Sequence, residues 1–129
     1  EDRDFFNLEE KLFIEKYVPY TTTNGPEYFV KKRLDYVVKP VISREGMSVT
    51  IVRRKEKIHS KYNLYDNELM LYQEYLELPK RNVVIQEERV EKYEVIGVFL
   101  TGETYSGSVC RLGSEITDWE SHWISMGLK

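Results

Sequence analysis

The chain is poor in cysteine: Cys110 is the only one among 129 residues, so no intrachain disulfide can form, which fits a reducing, cytoplasmic setting. It also lacks any apolar run approaching the ~20 residues of a membrane-spanning helix, and it has no signal-peptide pattern, so no membrane partner is expected. A surplus of positive charge is missing too. Lys and Arg number 19 against 22 Asp and Glu, a net charge of −3, so bulk electrostatics do not draw the chain onto nucleic acid or an anionic membrane. A polyanionic ligand would have to be gripped by local geometry. There is no internal repeat and no low-complexity tract, and a hydrophobic content of 41% is too high for disorder. A convincing metal-ligand cluster is also lacking. Asp118 and His122 are four apart and would share a helix face, but two side chains do not make a metal site. Asp2, Asp4, Glu9 and Glu10 read as exposed termini and caps. The chain opens Glu1-Asp2-Arg3-Asp4 without Met, as expected of a segment of a longer protein.

What is present reads as two helices followed by strands. Asn7-Leu8-Glu9-Glu10 has the form of a capping box and predicts a helix from about Leu8 to Val18, stopped by Pro19. Thr21 to Pro26 reads as a loop. Pro26 suits a first helical position, and Lys31, Lys32 and Arg33 suit a last turn, so a second short helix is expected from about Glu27 to Arg33. Strands are expected over Tyr36 to Lys39, ended by Pro40, then Ser48 to Arg53, Leu69 to Leu76, Val83 to Gln86 and Tyr93 to Thr101. Both alternating sets of the last strand are apolar, which predicts a central strand buried on two faces. Gly102-Glu103 is a turn signal, and Thr104 to Leu112 returns as a hairpin partner. The expected class is α+β with a mainly antiparallel sheet. It is read as one domain, with a helical lead-in at 1–34, a β-rich part at 35–113 and a tail at 114–129.

Three stretches have the chemistry to hold a ligand. Lys39 stands near the end of an apolar strand, where burying its charge is costly without an anionic partner such as phosphate. Beyond Pro40, the run Ser43-Arg44-Glu45-Gly46 offers backbone N–H groups, a guanidinium and a glycine for a tight turn, a set suited to phosphate oxygens. An ordinary hairpin with a solvated lysine would present the same residues. In the second stretch, Tyr72-Gln73-Glu74-Tyr75-Leu76-Glu77-Leu78-Pro79 leaves a strand through an acidic segment, and its backbone would suit an adenine edge or simply a solvated strand end. In the third, Arg111 lies in a hairpin arm, placed either to stabilise a transferring phosphoryl group or to make a surface ion pair. Cys110 beside Arg111 has either a lowered thiol pKa or, the more ordinary reading, a half-buried strand position. Arg53 to Lys57 reads as a solvated turn, His59 as solvated, and Trp119 with Trp123 as packing at helical spacing. Ser121-His122 alone does not argue for a nucleophile.

Taken in series, these pieces resemble the glutathionylspermidine synthase-like ligases. The resemblance is carried by Tyr36-Val37-Val38-Lys39-Pro40, Ser43-Arg44-Glu45-Gly46 and Val49-Thr50-Ile51, then by Tyr72-Gln73-Glu74-Tyr75 with Leu78-Pro79. It continues through Val95-Ile96-Gly97-Val98-Phe99, Gly107, Arg111, Ile116-Thr117 and Ser121, spanning about Glu15 to Trp123. It implies a circularly permuted ATP-grasp fold and ATP-dependent joining of a small-molecule carboxylate to an amine through an acyl phosphate. By carry-over, Lys39 contacts ATP phosphate, Ser43, Arg44, Glu45 and Gly46 form the phosphate-covering loop, Gln73 and Glu74 lie at the adenine hinge, and Arg111 is the catalytic residue facing the phosphoryl group. The implied cofactors are ATP and magnesium, with the metal ligands upstream in the remainder of the parent enzyme and no turnover by the segment alone. The chain departs from the pattern at Leu112, where the family has an acid, at Trp119, where it has Asn, and at Ser125-Met126, where it has Pro-His. Those departures favour a second reading, a non-catalytic binding module that keeps the fold.

Overall fold

A computed structural model of the chain describes residues 5–126. The backbone separates into two compact units. One comprises Ser48–Leu76 and the chain up to Ser43; the other comprises Arg44–Met47 and the chain from Glu77 onward. Helices and antiparallel sheets together give the expected α+β class. Among the described residues, no helix is long and apolar enough to cross a membrane.

In the first unit, α1 (Leu8–Tyr17) starts at Asn7. Asn7 Oδ1 accepts from the Glu10 backbone N–H at 3.0 Å, and Glu10 Oε2 accepts from that of Asn7 at 2.8 Å. The capping box is therefore formed in both directions. The helix buries none of its residues, and Leu8, Leu12, Phe13 and Tyr17 all face solvent. α2 (Glu27–Lys32) is anchored by Phe29, which is wholly buried. It ends at Arg33, whose φ of 57° is left-handed, and the N–H groups of Arg33 and Leu34 reach back to the carbonyls of Val30 and Phe29 at 3.2 and 2.9 Å.

Five short strands follow this helical part or intervene in it: β1 (Thr21–Thr22), β2 (Tyr36–Pro40), β3 (Thr50–Val52), β4 (Lys57–His59) and β5 (Met70–Glu74). They form one antiparallel sheet in the order β1-β5-β2-β3-β4. Tyr36 stacks on Phe29 with ring centroids 5.2 Å apart, and Tyr72 lies 6.3 Å from Tyr36, so α2 covers one sheet face through aromatic contact. On the other face Ile51 is buried and stands opposite Val37 and Ile58. The strands β1 and β4 take up only Thr21–Thr22 of the expected loop and Lys57 of the expected turn, and Arg53 to Glu56 turns as expected, with the Arg53 N–H on the Glu56 carbonyl at 2.9 Å. At two and three residues they are too short to show alternation, and pairing to a neighbour defines them.

The second unit holds β6 (Lys80–Ile85), β7 (Glu88–Thr101), β8 (Thr104–Gly113) and β9 (His122–Ser125), in that sheet order. β7 pairs with β6 along Glu88 to Tyr93 and with β8 from Tyr93 to Thr101, so it has two neighbours only around Tyr93. This overturns the expected strand buried on both faces. Ile96, Val98, Phe99 and Leu100 are 53%, 60%, 56% and 65% exposed, and from Val98 to the turn β7 and β8 pair only with each other among the described residues, as a two-stranded ribbon. Gly102, at φ 61°, closes the predicted hairpin in a two-residue turn. The tail is also corrected. His122 to Ser125 is a strand paired with Val109 to Leu112, so Asp118 and His122 share no helix face, and Trp123 is not at a helical position. The core of this unit is Leu112, fully buried, with Cys110 beside it.

Candidate functional site

Antiparallel register brings Lys39 and Gln73 together. Val37 stands opposite Gln73 and Lys39 opposite Leu71, so Lys39 and Gln73 are diagonal neighbours on one face of the first unit's sheet. Lys39 Nζ donates to Gln73 Oε1 at 2.8 Å, Gln73 Nε2 donates to Thr21 Oγ1 at 2.9 Å, and Thr21 Oγ1 donates to the Pro19 carbonyl at 3.0 Å. This line of hydrogen bonds crosses three adjacent strands and turns the amide oxygen toward the ammonium. Among the described residues, Lys39 has no carboxylate partner, and burial lowers its pKa below the ordinary lysine value. The sequence placed Lys39 and Gln73 in separate constellations. Thr21, which completes the line, was missed, because nothing in Thr21-Thr22-Thr23 indicates a pairing to a strand some fifty residues on.

Glu74 lies on the opposite face of β5 from Gln73, since successive strand residues alternate. It faces a cleft of about 460 Å³ also lined by Ile14, Tyr20 and Tyr28, and its backbone N–H donates to the Tyr20 carbonyl at 2.9 Å. The two residues read together at the hinge are thus parted by the sheet.

Ser43 closes one stretch of the first unit, and Arg44, Glu45 and Gly46 belong to the second. Ser43, Arg44 and Glu45 are exposed. Glu45 and Gly46 adopt φ values of 56° and 69°, and the Met47 N–H closes the turn on the Arg44 carbonyl at 3.1 Å. A Cβ on Gly46 would overlap the Thr117 carbonyl oxygen. Glycine is needed here for both left-handed backbone and close packing on Ile116-Thr117.

Arg111 sits on β8 between Val95 and Trp123. Its Nη2 donates to the Asp118 carbonyl at 2.7 Å, and its guanidinium lies 5.1 Å from the Trp123 ring centroid. Arg111 Nε and Ser121 Oγ are buried without a hydrogen-bond partner among the described residues.

Cys110 occupies the other face, against Glu94 at 3.4 Å, and Glu94 is held by both forks of Arg81 at 2.9 and 2.8 Å. Burial, then Glu94, pushes the Cys110 thiol up, the opposite of the lowering that Arg111 would have caused. The hydrogen bond from Arg81 holds the Glu94 carboxyl below its ordinary value. The Arg81–Glu94–Cys110 cluster leaves no mark in the sequence, because a diagonal across β6, β7 and β8 exists only through strand register. Leu112, the departure from the family's acid, is Glu94's cross-strand partner and is sealed in the core. An acid there would be buried beside a carboxylate.

Among the described residues, no group of three or more His, Cys, Asp or Glu is placed to hold a metal ion. Asp118 is buried and accepts from the Glu120 N–H at 3.1 Å, while His59 pairs with Thr50 Oγ1 at 3.1 Å. Asp2 and Asp4 lie outside the described residues. The family model described as glutathionylspermidine synthase preATP-grasp matches residues 16–129, so the chain belongs to the glutathionylspermidine synthase preATP-grasp family.

Proposed function

We propose that the chain is the ATP-binding portion of an ATP-dependent carboxylate–amine ligase with an ATP-grasp-like fold. In that reaction a carboxylate oxygen attacks the γ-phosphorus and ADP leaves. The amine then attacks the acyl carbon, loses a proton, and inorganic phosphate departs. Lys39 would hold a phosphate oxygen, with Gln73 and Thr21 fixing its direction. Ser43, Arg44, Glu45 and Gly46 would cover the phosphates. Gln73 and Glu74 stand where β5 leaves toward Pro79, the stretch that would border adenine. Arg111, which has a donor without an acceptor, would face the developing phosphoryl charge. The ligands of the implied magnesium are proposed to lie in the remainder of the parent enzyme, and no step is routed through the metal.

The observation that carries this reading is Lys39: a half-buried ammonium, aligned by Gln73 and without a carboxylate partner among the described residues. An anion is the partner that would offset its desolvation. Calorimetric titration of ATP into the chain and into Lys39→Ala tests it. A charge-assisted hydrogen bond contributes about 1.5–3 kcal/mol, so the variant is expected to bind at least about tenfold more weakly. Equal affinities remove Lys39 from the site. The second reading, a binding module without turnover, is favoured by Leu112 being core where the family has an acid. Single-turnover ADP formation by full-length protein with a carboxylate and an amine distinguishes the two.

A further inference from the structure

On the sheet face that carries α2, a shallow groove of about 420 Å³ opens beside the helix's C-terminal end. Its floor is Phe29, Leu34, Tyr36 and Val52, and its rim is Arg33, Arg53 and Arg54. Chain geometry creates both parts. Phe29 stacked on Tyr36 lays down an apolar floor, and the left-handed cap at Arg33 turns that residue outward at the helix end. Arg54 then donates from Nε and Nη2 to the Arg33 carbonyl at 3.3 and 3.1 Å, which ties the turn after β3 to the helix cap. Arg53 is held by Glu56 at 2.7 Å and by the Tyr75 hydroxyl at 2.9 Å.

Charge on this rim is lopsided. Its three lining arginines stand in the sequence stretches 31–33 and 53–57, which carry seven basic side chains and one acid, Glu56, within a chain of net charge −3. Among the described residues, neither Arg33 nor Arg54 has a carboxylate partner, and the acceptor for Arg54 is a neutral carbonyl. Cations held close together in this way attract an acid that reaches both. The apolar floor adds a second requirement, because a bare anion would leave the half-buried Leu34, Tyr36 and Val52 uncovered. A long polyanion such as nucleic acid is disfavoured by the chain's net charge.

We propose that this groove docks an acidic peptide segment of a partner protein, with one apolar side chain seated on Leu34, Tyr36 and Val52 and flanking carboxylates on Arg33 and Arg54. The probe is a short fluorescein-labelled peptide of Asp and Glu flanking a single Leu, followed by anisotropy against the 129-residue chain. Arg33→Asn keeps a residue that tolerates the left-handed cap, and Arg54→Gln keeps a donor for the Arg33 carbonyl, so both variants should fold, which circular dichroism checks. Saturable binding is expected, weakened about tenfold by the double variant and progressively by salt, and lost when Asn and Gln replace the peptide's acids. Equal binding by the folded double variant overturns the proposal. Full displacement by inorganic phosphate alone, or binding to acidic lipid vesicles in place of the peptide, overturns it too.

Discussion

Gly46 and Glu94 show how much a single residue can depend on a neighbour distant in sequence. Gly46 has a left-handed φ and lies against the Thr117 carbonyl, so Gly46→Ala meets both backbone strain and overlap. A loss of about 1–3 kcal/mol is expected from urea unfolding, and a variant as stable as the parent would show that the loop moves away freely. Glu94 ties acid stability to one ion pair. Its folded pKa lies below the ordinary 4.5, chiefly through the Arg81 hydrogen bond. Ionised Glu94 therefore stabilises the fold above that value, and the contribution is lost as pH falls through its lower folded pKa. Glu94→Gln is expected to lower the melting temperature by a few degrees at neutral pH and to flatten its fall in acid. An unchanged acid limb assigns that limb to other carboxyls.

At the level of elements, the contrast between α1 and α2 is instructive. α1 has a complete capping box but buries none of its residues, whereas α2 lacks a side-chain cap and is held by Phe29. Capping contributes about 0.5–2 kcal/mol to a helix, so Asn7→Ala is expected to fray α1 without moving the main unfolding transition. Faster amide exchange confined to the first turns would show this; a shift of the whole transition would mean that α1 is coupled to the sheet. The strands divide in the same way. β2, β5, β7 and β8 were legible because each has enough β-branched, aromatic or alternating residues for its period to show. β1, β4 and β9 were not, because each exists through a partner: Gln73 and Tyr72 for β1, β3 for β4, and β8 for β9.

Across the whole molecule, apolar exposure and low net charge act together. Val98, Phe99 and Leu100 are more than half exposed on a ribbon, and the isoelectric point is near 5.5. A ribbon with apolar faces and open edges pairs readily with another chain once charge repulsion vanishes. Turbidity is therefore expected to peak near pH 5.5, and Val98→Lys with Leu100→Lys is expected to suppress it. A turbidity profile unchanged by these substitutions would place the association elsewhere.

The sequence by itself determined what depends on near neighbours: the capping box at Asn7, the turn at Gly102-Glu103, the strand ended at Pro40, the α+β class, and the run of pieces that marks the family. These follow from local sterics and from spacings of a few residues. The candidate site was only half visible in this way. Lys39, Gln73 and Arg111 could be picked out as chemistry, but which of them meet was decided by strand register, which joined Lys39 to Gln73 and Thr21, put Glu74 on the other face, and turned Cys110 away from Arg111 toward Glu94. Alternation along a strand makes a one-residue difference a change of face, and long-range pairing sets that difference.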